Sequence, residues 1–322
     1  MSGAGDETDS DIVKPLGGHP RMDAMRAFPL VLALAAASAQ SAGAQVDAST
    51  FDWNGAVPAG ATLHIYSVDG NIRVTGTSSG HAKVHGQRTH VLSGGRALVF
   101  QVVKDGDDVT ICAFHPHGSC DARGVHGEEG YHVGFPGEPS PSVDFTVELP
   151  AGVKFNASSG DGSIDVRGAG ADVAVSSGDG DISVSGATGD VKANSGDGSI
   201  TIENAQRGVI ARTGDGSISI SAASGSVEAT SGDGDVHLHM AKVVNPGDIN
   251  LHTGDGSVTI FVASAFGGEI DASTSDGSIE SEMPLALSGH MDPRHLRGTV
   301  GSGGDVRLNI RTGDGDIRIK RE

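Results

Sequence analysis

The stretch "SGDGSIDVRGAGADVAVSSGDGDISVSGATGDVKANSGDGSI", residues 159–200, decides the fold because it nearly repeats itself three times. Asp161, Asp179 and Asp197 each stand inside a Gly-Asp-Gly triplet, and successive triplets are 18 residues apart. Glycines at such positions supply the positive φ angles that tight turns require. The triplet is therefore either a recurrent site of chemistry or the recurrent corner of a scaffold.

Small aliphatic residues recur every nine positions around these triplets. Nine β-branched residues follow one another at this spacing: Ile164, Val173, Ile182, Val191, Ile200, Val209, Ile218, Val227 and Val236. A second series lies two places further along: Val166, Val175, Val184, Ala193, Ile202, Ala211, Ile220, Ala229 and Leu238. The residues between and beside them are mostly polar. This alternation predicts short β-strands that each bury one face.

The nine-residue half-units are of two kinds, and together they form the 18-residue unit. One kind opens with Gly-Asp-Gly, and the other opens with a looser turn such as 168–170 or 187–189. The unit reads strand, loose turn, strand, tight turn, which fits either a solenoid or an up-and-down antiparallel sheet. The inward residues are all small and would fill a thin slot between two close faces. We therefore predict an all-β, β-helix-like solenoid of 18-residue coils, each with two short strands, and Gly-Asp-Gly turns on one edge.

Composition narrows the fold and the possible partners. Aromatic residues make up only 4% of the 322 residues, so a conventional core of large side chains is not expected. The formal net charge of −19 repels phosphate backbones, which argues against nucleic acid as a partner. Such a surface would instead attract divalent cations or basic surfaces.

The sequence from Met25, "MRAFPLVLALAAASAQSAGAQ", has the order of a secretory signal. A basic residue precedes a short apolar run and a group of small residues. We predict a signal peptide over 25–44, after a doubtful upstream segment 1–24. The apolar run is too short to span a bilayer, and we predict no transmembrane segment in the mature chain. The expected location is the periplasm, the outer surface or the medium.

Two further regions complete the expected organisation. Residues 46–150 form an N-terminal β region, with longer strands at 97–103, 109–113 and 142–149 and a His/Gly/Pro-rich loop between them. Residues 151–322 form the regular β-repeat region. The repeat slips near its end, and we interpret 281–303 as a flap or hairpin that covers the last coils.

Several segments together resemble one bacterial family. They are Phe51-Asp52-Trp53, Val57-Pro58-Ala59-Gly60, "VDFTVELPAGV" at 143–153, "SDGSIESEMPLALSG" at 275–289 and "HLRGTV" at 295–300. Over roughly residues 50–322 the chain is similar to the "putative adhesin" family of β-strand-repeat envelope proteins, a domain of unknown function. The resemblance implies a repetitive β fold and an exported location, and it brings no catalytic residues.

The column of turn aspartates is the first candidate site. In stacked coils the acids would form a ladder of like charges at about 4.8 Å spacing. On the structural interpretation, each triplet carboxylate accepts N–H bonds inside its own turn. On the functional interpretation, Ca²⁺ bridges the carboxylates, although the order Gly-Asp-Gly departs from the known calcium-roll repeat. The weak calcium candidates are Asp161, Asp179, Asp181, Asp197, Asp215, Asp233 and Asp235.

Cys112 and Cys120 are the only cysteines, and in an exported chain the pair indicates a disulfide that closes a small loop. The alternative is a Zn²⁺ site formed by "CAFHPHGSC" with His126 and His132.

Two weaker motifs have ordinary explanations. His237 and His239 flank inward Leu238 and would project outward, as a metal clip or as solvated surface. The segment 76–80 matches the G-x-S-x-G pattern of hydrolases. That chemistry requires a helix directly after the motif, and none is predicted there.

Taken together, the sequence predicts a non-catalytic envelope module, structural or binding, that needs no cofactor. Its partner would be a glycan or protein of the envelope or surface. A calcium-binding β-roll-like protein and a β-helix enzyme acting on polysaccharide are the alternatives.

Overall fold

A computed structural model describes residues 45–46, 49–89, 98–127, 142–240, 247–263, 266–287, 292–301, 304 and 306–322. Every regular element in these ranges is a β-strand. Within them, no helix is long and apolar enough to cross a membrane. The predicted signal peptide and the upstream segment 1–24 lie outside the described residues.

The strands that precede the regular repeat are β1 (Gln45–Val46), β2 (Thr50–Ala56), β3 (Thr62–Ser67), β4 (Ile72–Thr77), β5 (His81–Arg88), β6 (Val99–Asp105), β7 (Asp108–Phe114), β8 (Ser119–Asp121), β9 (Gly124–His126), β10 (Val143–Pro150) and β11 (Lys154–Ser159). Those of the repeat are β12 (Ile164–Arg167), β13 (Val173–Ser177), β14 (Ile182–Ser185), β15 (Val191–Ser195), β16 (Ile200–Glu203), β17 (Val209–Thr213), β18 (Ile218–Ser221), β19 (Val227–Ser231), β20 (Val236–Met240), β21 (Ile249–Thr253) and β22 (Val258–Val262). The last six are β23 (Gly268–Thr274), β24 (Ile279–Ser281), β25 (Leu285–Leu287), β26 (His295–Val300), β27 (Val306–Thr312) and β28 (Ile317–Arg321).

Two long sheets form the solenoid. Sheet A has the order β1-β6-β7-β3-β11-β13-β15-β17-β19-β21-β27-β23-β26-β25, and sheet B the order β2-β5-β10-β4-β12-β14-β16-β18-β20-β22-β28-β24. Neighbouring strands of the repeat are parallel, and those from β12 to β20 are shifted by one 18-residue unit, so that Val173 lies opposite Val191 and Ile182 opposite Ile200. This register confirms the predicted solenoid and excludes the antiparallel alternative for the repeat.

Most buried hydrophobic residues form one narrow core between the two sheets, and a small second cluster around Cys112 and Cys120 is separate from it. Ile164, Val173 and Ile182 are each only 1% exposed. The corresponding residues of the following coils are buried in the same way, because strands in register place equivalent side chains on top of one another. Since each coil contributes only a few small aliphatic side chains, its stability depends on the coils stacked on either side.

The N-terminal end of the solenoid is packed differently. The rings of Phe51 and Phe100 stack with centroids 5.1 Å apart, and Phe145 meets Phe100 edge-on at 6.3 Å. Antiparallel pairing of β2 with β5 and of β5 with β10 accompanies this aromatic cluster. These three phenylalanines thus fill the N-terminal end of the thin core.

At the C-terminal end, spatial order departs from chain order. β27 lies between β21 and β23, and β28 lies between β22 and β24. The coil formed by β27 and β28 is therefore inserted into the stack, and the earlier coil of β23 and β24 lies outside it. Within the predicted flap 281–303, the described residues include β25 and β26, which extend sheet A in antiparallel fashion beyond β23.

Candidate functional site

A ladder of buried hydroxyl groups holds the tight-turn edge of the solenoid together. The Ser195 hydroxyl accepts a hydrogen bond from the N–H of Gly198 in its own turn (3.1 Å) and donates to the carbonyl of Gly180 in the preceding turn (2.9 Å). The same pair of bonds recurs at Ser159, Ser177, Ser231, Thr253 and Thr312. Each hydroxyl thus joins one turn to the next.

The triplet aspartates do not have the structural role that the sequence suggested. The carboxylates of Asp161, Asp179, Asp197, Asp215 and Asp233 are exposed, and the described residues provide no hydrogen bond to them. The prediction that each accepts N–H bonds within its turn is wrong, because the hydroxyl ladder accepts the N–H of the second turn glycine instead. The prediction that the triplet glycines supply positive φ angles is also wrong: they are needed because neighbouring turns pack closely against them, whereas the aspartate faces solvent.

The second acids of the turns bind backbone of the neighbouring coil. Oδ1 of Asp181 accepts the N–H of Ser199 (2.8 Å), and Oδ1 of Asp235 accepts that of Ser257 (2.7 Å). At the equivalent Asp316, hydrogen bonds from the backbone and the hydroxyl of Ser278 lower the pKa of the carboxyl. Across the described ranges, no three His, Cys, Asp or Glu residues are placed to hold a metal ion.

Cys112 and Cys120 form a disulfide that ties β7 to the small β8–β9 hairpin. The bridge leaves neither sulfur as a thiolate for the alternative zinc site. His126 instead lies 2.9 Å from Asp121, whose pKa falls to about 2, chiefly through this contact and then through the N–H of Arg123. Of the other candidate ligands, His132 lies outside the described residues.

The two weaker motifs take their ordinary places. His237 and His239 project outward from β20 on either side of buried Leu238, and the His239 ring stacks on Phe261 at 4.0 Å. The G-x-S-x-G segment spans the end of β4 and the turn into β5, and the Ser79 hydroxyl donates to the carbonyl of His81 (2.7 Å). A strand follows this turn, so the segment lacks the geometry of a nucleophile elbow.

The outer face of sheet A carries a groove that the sequence did not predict. The groove has a volume of about 540 Å³ and crosses β3, β11, β13, β15 and β17 near the loose-turn edge. Ala174 and Ile210 are the only aliphatic residues at the outward strand positions of β3, β11, β13, β15, β17, β19 and β21, and both line it. Two aliphatic residues in an otherwise polar pattern were the signal that could have revealed the groove.

Charged side chains along the groove balance one another. Lys154 lies 3.6 Å from Asp172, whose Oδ1 accepts the N–H of Asp190 (3.0 Å). Oδ1 of Asp190 in turn accepts the N–H of Gly208 (3.0 Å). Lys192 also lines the groove. Two lysines and two aspartates therefore give this surface no net charge, although the protein as a whole carries −19.

At the end nearest the N-terminal coils, the groove is lined by His64, which is uncharged at neutral pH. Burial lowers the pKa of His64, more than the nearby charge of Asp108 raises it. Its ring lies parallel to that of Tyr66, with centroids 6.3 Å apart. The groove thus combines hydrogen-bonding groups, a small aliphatic patch and a histidine ring whose pKa is lowered.

Comparison with known proteins gives one family match. Residues 128–320 match the model of the family described as Toastrack DUF4097. No curated protein matches the chain.

Two solved structures are similar to the chain. One is described as a "putative cell adhesion protein" from Clostridium sporogenes; it is 12% identical with a TM-score of 0.32, and the match covers 85% of this chain and 100% of that one. The other is described as a "putative adhesin" from Bacteroides fragilis; it is 11% identical with a TM-score of 0.32, covering 84% and 96%. Likeness at this level carries no conclusion about function.

Proposed function

The chain belongs to the Toastrack DUF4097 family, and from this starting point we propose that it is an exported, non-catalytic binding module of the cell envelope. The observation that carries the proposal is the groove on a rigid face. Backbone ladders and buried hydroxyls hold every coil in register, so side chains along the outer face of sheet A keep fixed spacings. A scaffold of this kind presents a binding surface at little entropic cost.

Two features support export. The segment 25–44 has the order of a secretory signal, and Cys112 is joined to Cys120 by a disulfide. Disulfides persist in oxidising compartments and are rare in the cytosol.

The side chains offered by the outer faces support binding rather than catalysis. A hydrolytic site needs an acid, a base or a nucleophile gathered in one cleft. In the groove, Asp172 and Asp190 each use one oxygen to bind backbone of the next coil, and Lys154 lies beside Asp172. Ser78, the nucleophile position of the G-x-S-x-G segment, lies in the bend that links β4 to β5, and a strand rather than a helix follows it.

The test is to express the full chain with a C-terminal tag and to follow its location and its binding. We expect the tag in the envelope or the medium, and we expect the purified protein to bind envelope fragments without releasing new reducing ends. A variant lacking 1–44 is the control and should stay in the cytoplasm. Full-length protein in the cytoplasm would contradict export, failure to bind the fragments would contradict the binding role, and turnover of envelope polysaccharide would contradict the non-catalytic role.

A further inference from the structure

The groove on sheet A differs from the rest of that face in its aliphatic patch. Ala174 lies opposite Lys192 in the register, and Lys192 lies opposite Ile210. The two aliphatic residues are thus two coils apart with the lysine between them, and both are partly exposed. Ser176, two residues further along β13 on the same face, does not line the groove.

The shape of the groove fits an elongated ligand that runs across the strands. It extends over five neighbouring strands of sheet A, from β3 to β17. At the usual spacing this distance is about 19 Å. A volume of about 540 Å³ lies within the range of pockets that hold small ligands.

The charges of the groove indicate which ligands it would favour. Its two lysines and two aspartates cancel, so it offers neither a basic patch for a polyanion nor an acidic patch for a polycation. Beyond the groove the protein is acidic, which disfavours an anionic chain further. The remaining match is a polar, uncharged chain with both hydroxyl groups and apolar faces.

We propose that this groove binds an uncharged sugar chain, an inference that rests on the proposed binding function and assigns its ligand class. The apolar face of a sugar ring packs against Ala174 and Ile210. Ring hydroxyls accept hydrogen bonds from the Lys192 ammonium and donate to Asp172 and Asp190. Each carboxylate has one oxygen not used by the backbone, and that of Asp172 lies 3.6 Å from Lys154.

The test uses the exported protein, purified after removal of the signal peptide, and three probes: a β-1,4-linked glucose hexamer, an N-acetylglucosamine hexamer and a galacturonate hexamer. Binding is measured by calorimetry and by ligand-observed NMR. We expect at least one uncharged hexamer to bind at least about tenfold more tightly than the galacturonate hexamer, a difference of roughly 1.4 kcal/mol. If neither uncharged hexamer binds, or if the galacturonate hexamer binds as tightly, the proposal is overturned.

A matched pair of variants locates the site. Ala174→Trp fills the groove and should weaken binding of the uncharged hexamer by at least about tenfold. Ser176→Trp places the same ring on the same strand outside the groove and should bind as the unchanged protein does. Equal binding by the two variants would overturn the assignment to this groove.

Binding to whole envelope fragments separates the two proposals. If Ala174→Trp still binds the fragments while no hexamer binds the unchanged protein, the groove assignment fails and the binding function stands. If the unchanged protein binds neither the fragments nor the hexamers, the proposed function fails together with its ligand class.

Discussion

The two turn edges of the solenoid follow different rules. On the loose-turn edge, Gly168, Gly186, Asn204 and Ala222 occupy equivalent positions with φ of 66°, 68°, 54° and 53°. A Cβ added at Gly168 would meet no atom within 4 Å. On the tight-turn edge, a Cβ added at Gly198 would lie 2.2 Å from the carbonyl oxygen of Gly180.

This difference shows where stacking restricts the sequence. The tight edge requires glycine because neighbouring turns touch, and it requires a hydroxyl residue to join them. At the position of Gly168 the loose edge has room for a side chain, so the residue there changes from coil to coil. The proposed groove lies beside the loose edge, where variation leaves the stacking intact.

The largest expected effect tests the close approach of the tight turns. Gly198→Ala places a methyl group against Gly180, and the coils must separate locally to accept it. We expect a loss of about 3 kcal/mol or more in the free energy of unfolding, measured by urea denaturation.

Gly168→Ala is the control on the loose edge, where only the left-handed conformation is costly. It should lose about 1–2 kcal/mol. If both variants lose the same amount, the two edges do not differ in the way described.

The next largest effect tests the hydroxyl ladder. Ser195→Ala removes two hydrogen bonds and leaves the N–H of Gly198 buried without its acceptor. We expect a loss of about 1–3 kcal/mol in the free energy of unfolding. Ser183→Ala, at an exposed position on sheet B, should change stability by less than about 0.5 kcal/mol. An equally small loss at Ser195 would show that the ladder contributes little.

A smaller effect of opposite sign is expected on the loose edge. Ala222 has a left-handed backbone at φ 53°, where a Cβ is strained. Ala222→Gly relieves about 1–2 kcal/mol of strain and adds about 0.5–1 kcal/mol of chain entropy to the unfolded state. A net gain of about 0.5–1 kcal/mol should appear as a higher urea midpoint, and a loss at this position would contradict the strain.

The smallest effect concerns the exposed aspartate column. A triple variant with Asp179→Asn, Asp197→Asn and Asp215→Asn removes like charges from adjacent turns. We expect a slightly higher melting temperature in low salt and none of this gain in 1 M salt, because exposed charges are screened.

Calcium provides the complementary measurement on the same column. We expect the unchanged protein to have the same melting temperature in millimolar Ca²⁺ as in a chelator. A calcium-dependent rise that the triple variant lacks would instead support metal bridging along the column.

Much of the solenoid could be predicted because its core repeats in the sequence. The spacing of Ile164, Val173 and Ile182 alone predicts that their side chains face inward, and stacking of the coils then sets the register of their strands. The hydroxyl ladder was missed although a Ser or Thr precedes every triplet of the repeat. Turn aspartates often accept N–H bonds of their own turn, and the sequence therefore favoured them as acceptors; the preceding Ser or Thr hydroxyl has that role instead.

The groove and the order of the last coils depend on contacts that local patterns do not encode. Ala174 and Ile210 are 36 residues apart in sequence and come to line one groove, on either side of Lys192, only through stacking. The triplets around Asp255, Asp276 and Asp314 look alike, so each could follow any other. Their spatial order emerges only when β27 and β28 pair on both sides.

The inserted coil of β27 and β28 has a consequence for the order in which the C-terminal coils fold. β23 and β24 precede β27 and β28 in the chain, so the coil that separates them from β21 and β22 is synthesised last. Assembly at this end cannot proceed rung by rung in the order of synthesis. Removing 306–322 would therefore not simply shorten the solenoid by one coil. It would separate the coil of β23 and β24 from β21 and β22 and expose unpaired strand edges on both.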